Sequence, residues 1–180
     1  MSPDLLGKLA TLQLLVCDVD GVLTDGRLTY AADGEATKTF HVHDGMGLRL
    51  LMENGVQVAI ITARKGGAVA RRMADLNIKH VAQGRGDKGN ALAELLAELG
   101  IAAEHAAYIG DDVLDLPAIR RVGVGITVNN GHSAVIAEAD WVTERAGGTG
   151  AVREVADTIL EAKIGLSVAV EHVLDRSATQ

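Results

Sequence analysis

Leu14-Leu15-Val16-Cys17-Asp18-Val19-Asp20-Gly21-Val22-Leu23-Thr24-Asp25 decides the fold. Its first four residues are all apolar, and the run then breaks at two acids and a glycine. A strand buried on both faces has no polar side, so it reads as a continuous apolar run, the mark of a parallel sheet. The pattern recurs at Val56–Ile61, which ends at Thr62-Ala63-Arg64, and more weakly at Ile78–Ala82. It returns at Ala106–Ile109, which ends at Gly110-Asp111-Asp112, and at Gly123–Val128 and Trp141–Thr143. Helical spacing lies between these runs. Val69, Met73 and Leu76 mark one face. Leu92, Leu95, Leu96 and Leu99 mark a second, with Asp87 as N-cap and Gly100 as the stop. Val152, Val155, Ala156, Ile159 and Leu160 mark a third. Strands alternating with helices predict an α/β protein in three layers, a doubly wound parallel sheet with helices on both faces. Residues 26–42 depart from the alternation: Asp33-Gly34 lies between two partly alternating stretches and predicts a β-hairpin inserted after the first strand. No repeat, low-complexity tract or linker divides the chain. Residues 1–180 are therefore expected to form one domain, with the hairpin at about 26–42 and a C-terminal helix or tail at about 164–180.

Composition narrows the function. The net charge of −7 makes phosphate-mediated binding of nucleic acid a poor expectation, and 2% aromatics cannot build a base-stacking platform. Cys17 is the only cysteine, which excludes an intrachain disulfide and the cysteine-rich zinc sites. Met1–Ala10 lacks the basic start and apolar core of a signal peptide, and no apolar run approaches the roughly 20 residues that span a bilayer. A cytoplasmic protein without membrane partners is expected.

In an open parallel sheet, ligands bind at the carboxyl ends of the strands. The residues that end the apolar runs are Asp18 and Asp20, then Thr62 and Arg64, then Asp111, Asp112 and Asp115; Lys88 follows the third run. Carboxylates brought together repel, by roughly 4 kcal/mol for two charges about 4 Å apart at an effective dielectric near 20, so the cluster calls for a cation. An all-oxygen donor set suits Mg²⁺, which keeps waters and shares phosphate oxygens. With a metal at Asp18, Asp20 and Asp111 and with Lys88 drawing charge from a bound phosphate, Asp18 is positioned to attack phosphorus. Asp20, two residues on, would protonate the leaving oxygen and later activate water, and Thr62 would donate to a phosphate oxygen. Of Asp111 and Asp112, one ligates metal and the other caps or orients, and Asp115 pairs with Lys88. The fork of Arg64 suits the carboxylate of a sugar acid.

These residues resemble the haloacid dehalogenase superfamily of phosphohydrolases. Asp18–Asp25 is similar to its DxDGxxTD motif, Thr62 to the hydroxyl of its second motif, Lys88 to its third-motif lysine, and Gly110–Asp115 (GDDVLD) to its acidic fourth motif. The closer resemblance is to the 3-deoxy-D-manno-octulosonate 8-phosphate (KDO 8-phosphate) phosphatases. Asp18–Gly26, Asp44–Leu48, Ile61–Lys65, Gln83–Lys88, Tyr108–Pro117 and Ala146–Val155 carry it, over roughly residues 10–160. It implies a Rossmann-like sheet with a hairpin in place of a large cap domain, Mg²⁺, a phosphoaspartate on Asp18, Asp111 as the ligand of the acidic pair, and a homotetramer acting in lipopolysaccharide sugar synthesis. It also places Asp44, His43 and Arg85 with Arg64 as candidates for substrate binding. The sequence departs from the usual pattern at His43, Met46, Ala63, Arg85-Gly86-Asp87 and in the apolar tail after Lys163, positions that bear on which sugar is taken.

His41 and His43 flank Val42 and are expected on one strand face. Gly147-Gly148-Thr149-Gly150 lacks the spacing of a dinucleotide fingerprint and is either a plain turn or a loop closing over substrate. Other readings are a nonulosonate 9-phosphate as substrate, a receiver-like signalling domain, or a non-catalytic oligomerisation module. A receiver places its phosphoacceptor aspartate after the third strand, where this chain has Gln83-Gly84-Arg85, and the intact acid set argues against an inert module.

Overall fold

In the computed structural model of the chain, residues 1–32 and 36–177 are described. The elements run α1 (Pro3–Ala10), β1 (Leu14–Cys17), β2 (Thr29–Tyr30), β3 (Ala36–Thr37), α2 (Val42–Glu53), β4 (Gln57–Thr62), α3 (Gly67–Asp75), β5 (His80–Gln83) and α4 (Lys88–Leu99). They continue with β6 (Ala106–Gly110), α5 (Leu116–Ile119), β7 (Val124–Thr127), α6 (Ser133–Ile136), β8 (Trp141–Val142), α7 (Ala151–Ile164) and α8 (Leu166–Ser177). Six strands form one parallel sheet in the order β5-β4-β1-β6-β7-β8.

The sequence of β1 is apolar throughout because both its faces are covered. Leu15 and Cys17 point into the core that holds residues of α1, α2, α3, α7 and α8; Leu14 and Val16 point into the core formed with α4, α5 and α6. This is the three-layer arrangement the apolar runs predict. The hairpin is present as an antiparallel β2–β3 pair with Thr29 opposite Thr37. The Asp33-Gly34 turn signal lies outside the described residues. No large cap domain lies among the described residues.

The expectation for His41 and His43 is corrected. They share no strand: His41 is the N-cap of α2 and His43 lies in its first turn, with the rings edge to face at 5.1 Å. Helix α2 lacks a clean apolar stripe because two of its positions are glycine. A Cβ at Gly47 would stand 3.0 Å from the Ala156 Cβ and 3.1 Å from Arg153 Cδ, both on α7. Close packing of the two helices there needs the smallest residue, at a cost in helix propensity and in legible periodicity. Helix α8 completes this layer. Ala169 is buried, Leu166 and Val173 pack on the core, and Val168 and Leu174 face outward.

Candidate active site

The chain leaves β1 toward β4 and β5 on one side of the sheet, then returns to β6 on the other. The carboxyl ends of β1 and β6 therefore flank the point where strand order reverses, which is where open α/β sheets bind ligands. Asp18 and Asp111 are the residues that follow these two strands.

The turn after β1 is held by its own polar atoms. The N–H groups of Val22, Leu23 and Thr24 all donate to the Val19 carbonyl. Thr24 Oγ1 donates to that same carbonyl and accepts from the N–H of Gly21 and of Gly26. Gly21 has φ +88°, and a Cβ there would fall 2.0 Å from Asp111 Oδ2, so no larger residue allows the two loops to approach this closely. The Gly147–Gly150 segment is a turn packed against this loop. The Gly148 N–H donates to Val22 O at 2.9 Å, and a Cβ at Gly147 would fall 1.7 Å from Gly21 O.

Lys88, at the start of α4, is buried between two carboxylates, 2.7 Å from Asp18 Oδ2 and 2.6 Å from Asp115 Oδ1. Burial works against its charge, but Asp18 and Asp115 outweigh that and raise its pKa above the usual lysine value. Asp115 is fully buried and accepts four hydrogen bonds. Oδ1 takes Lys88 Nζ and Tyr108 OH, and Oδ2 takes the N–H groups of Asp111 and Asp112 at 3.1 Å each. Asp112 caps the turn at Val113–Asp115 through Val113 N–H, while a carboxylate oxygen of Asp111 lies within 4.8 Å of one of Asp18.

Asp18, Asp111 and Asp115 each bring a carboxylate oxygen within 4.8 Å of the others. At that separation each repulsion is about 3–4 kcal/mol at an effective dielectric near 20. Burial first, then Asp115, push the Asp18 pKa up to about 6, with Lys88 pulling the other way. Burial, then Asp18 and Asp115, push Asp111 up to about 7. Three carboxylates against one ammonium leave two negative charges uncompensated, which fits one divalent cation. All donors are oxygen, which fits Mg²⁺. Since Asp115 has spent both oxygens on donors, Asp18 and Asp111 are the carboxylates open to a metal.

Thr62 ends β4 and is buried, and its carbonyl accepts from Arg85 N–H at 3.0 Å. The Asp20 carboxylate stands apart from the three-acid cluster: it pairs with Lys38, from the segment after β3, and lies 3.7 Å from Arg64 Nε. Nothing in the sequence singles out Lys38, one lysine in a Thr-Lys-Thr stretch. Tyr108 was equally hidden, since a strand aromatic reads as core. Two of the candidate substrate contacts have partners within the chain. Asp44 is buried, and its Oδ1 accepts the Arg153 N–H at the start of α7 at 2.8 Å, so it ties α2 to α7. The Arg85 guanidinium is taken up by Asp87 and Glu94 on the surface of α4. His43 is exposed and Arg64 half-exposed.

A parallel sheet of this order, with paired acids after its central strand and a lysine–aspartate couple beside them, defines a haloacid dehalogenase-like hydrolase, and the description of that family matches residues 80–155. The 3-deoxy-D-manno-octulosonate 8-phosphate phosphatase of Escherichia coli K12 is 45% identical over 163 residues, covering 91% of this chain and 87% of that protein. The chain belongs to this phosphatase family, whose members are phosphoric monoester hydrolases. Among solved structures, the Moraxella catarrhalis KDO 8-phosphate phosphatase in complex with magnesium, phosphate and KDO superposes with a TM-score of 0.93 at 42% identity, covering 96% and 99% of the two chains. The cobalt-bound enzyme of Haemophilus influenzae gives 0.89 at 43% identity, covering 93% and 99%. No helix among the described residues is long and apolar enough to cross a membrane.

Proposed function

We propose that this enzyme hydrolyses KDO 8-phosphate to KDO and phosphate through a phosphoaspartate on Asp18, with Mg²⁺ held by Asp18 and Asp111. The observation that carries the mechanism is the cluster at the sheet's reversal point, where buried Asp18, Lys88 and Asp115 meet half-buried Asp111. The metal would offset phosphate charge and fix the phosphorus beside Asp18. The Asp18 carboxylate attacks phosphorus as the bond to the sugar oxygen breaks, and that oxygen takes its proton from Asp20. Asp20 then removes a proton from water as its oxygen attacks the same phosphorus and releases Asp18. Lys88 neutralises Asp18 and the phosphoryl oxygens, and Thr62 donates to one of them. Arg64, beside Asp20 and partly open to solvent, is suited to bind the sugar carboxylate.

The substrate reading is supported by the 45% identity to a KDO 8-phosphate phosphatase and by the fit to one solved with KDO. We also propose a cytoplasmic homotetramer; exposed Tyr30 on the hairpin and exposed Val42 and Met46 at the start of α2 are apolar surface available to a neighbour. Phosphate release is measured with Mg²⁺, with EDTA and with Asp18→Asn, using KDO 8-phosphate and a nonulosonate 9-phosphate in parallel. Turnover of the first substrate, abolished by EDTA and by the substitution, is expected. Preference for the second keeps the chemistry and overturns the substrate. Light scattering gives the mass of the assembly.

A further inference from the structure

We infer that Lys38 is a positioning residue that holds the Asp20 carboxyl in place, so that the hairpin, and not only the sheet edge, builds the proton-transfer half of the site. This rests on the reading of Asp20 as the proton-transfer group. Lys38 follows β3, in a hairpin whose Thr29 and Tyr30 are exposed. A lysine there would ordinarily extend into water. Instead its side chain is only 4% exposed, and its ammonium meets Asp20 Oδ1. Burying an ammonium without a partner is costly, so this pairing accounts for the inward turn of the side chain. Arg64 Nε approaches Asp20 Oδ2 at 3.7 Å from the end of β4. Each carboxylate oxygen thus faces a cation from a different segment. Lys88 is occupied with Asp18 and Asp115, so it does not perform this task. Phe40, two residues on, packs against the core with Arg72 over its ring at 5.9 Å, which anchors the segment that carries Lys38. Proton transfer depends on heavy-atom distances of roughly 2.6–3.2 Å, so a carboxyl free to rotate loses efficiency even when it is present.

The test compares Lys38→Met, Lys38→Arg, Asp20→Asn and the Lys38→Met/Asp20→Asn double variant in the full-length protein, each checked by thermal melting. Two substrates are used: KDO 8-phosphate, whose alkoxide must be protonated on leaving, and p-nitrophenyl phosphate, whose phenolate needs no proton. Lys38→Met is expected to lower kcat/KM, which reports the steps up to departure of the leaving group and not the hydrolysis of the phosphoaspartate common to both substrates, by about tenfold or more on the sugar phosphate and much less on the aryl ester. Lys38→Arg restores part of the loss. The double variant is expected to be no slower than Asp20→Asn alone, because the two residues act as one unit. Equal losses of kcat/KM by Lys38→Met on both substrates, or a double variant slower by the product of the single effects, overturns the inference. If Asp20→Asn itself lowers kcat/KM on both substrates alike, the assignment of Asp20 as proton donor fails, and the double variant still decides whether Lys38 acts through it.

Discussion

Asp115→Asn is the substitution that most directly probes the buried cluster. It keeps the shape of the side chain and removes its charge. The Coulomb changes nearly cancel. Two repulsions at up to 4.8 Å from Asp18 and Asp111 are relieved, about 3–4 kcal/mol each at an effective dielectric near 20. One attraction to Lys88 at 2.6 Å is lost, about 6 kcal/mol on the same scale. Hydrogen bonding then decides the outcome. The carboxylate accepts two donors on each oxygen, and an amide has only one oxygen. With its NH₂ toward the turn it faces the part-buried N–H groups of Asp111 and Asp112, and toward Lys88 it faces the buried ammonium and the Tyr108 hydroxyl, which can rotate to accept; each donor left unpaired costs about 1–3 kcal/mol, so the loss is about 1–6 kcal/mol. For a domain whose whole stability is about 5–15 kcal/mol this is a severe lesion. Urea unfolding in EDTA measures it, and an unchanged slope shows that the loss belongs to the native state. Tyr108→Phe is the control. It removes one donor and leaves Asp115 with three, so it should cost only about 1 kcal/mol. An Asp115→Asn protein as stable as the parent would refute the assignment of Asp115 as the acceptor that binds Lys88 to the turn at 110–115.

Two further expectations follow from the same geometry. The folded-state pKa values of Asp18 and Asp111, about 6 and about 7, lie above the unfolded carboxylate value near 4. In metal-free protein the stability gained from their protonated forms is therefore fully present below about pH 4 and is lost as pH rises through 6 to 7. Magnesium competes with those protons, so the rise in Tm on adding Mg²⁺ should be small at pH 5 and large at pH 8; calorimetry showing equal rises would count against metal binding at these carboxylates. Arg85→Ala should leave kcat and KM unchanged, since its guanidinium is held by Asp87 and Glu94 on the helix surface. A raised KM for KDO 8-phosphate would return Arg85 to the substrate site.

Much of this was legible along the chain. The apolar runs at Leu14–Val19, Val56–Ile61 and Ala106–Ile109 identify strands covered on both faces, and the polar residues that end them identify the functional edge. The pairing of Lys88 with Asp115 was also within reach, because a lone cation near several acids must compensate one of them. Helix α2 was not legible, because Gly45 and Gly47 erase its apolar stripe. The two histidines at its start looked like a strand for the same reason. The proposed substrate role of Asp44 depended on its place in a similar stretch, and its side chain is buried against the first turn of α7.

The sequence by itself determined which residue types gather at the sheet edge and in what order, since a parallel strand must be apolar until it reaches solvent at its carboxyl end. It pointed to the class of chemistry with them, because clustered carboxylates with one lysine suit a divalent cation. Only the tertiary structure decided how the four acids divide their work. Asp115 became the buried acceptor, Asp18 and Asp111 the open pair, and Asp20 the partner of Lys38 and Arg64. The reason is physical. A carboxylate's role depends on which donors reach it, and Lys38, Lys88 and Tyr108 come from segments far apart in the chain whose approach is set by strand register and helix packing.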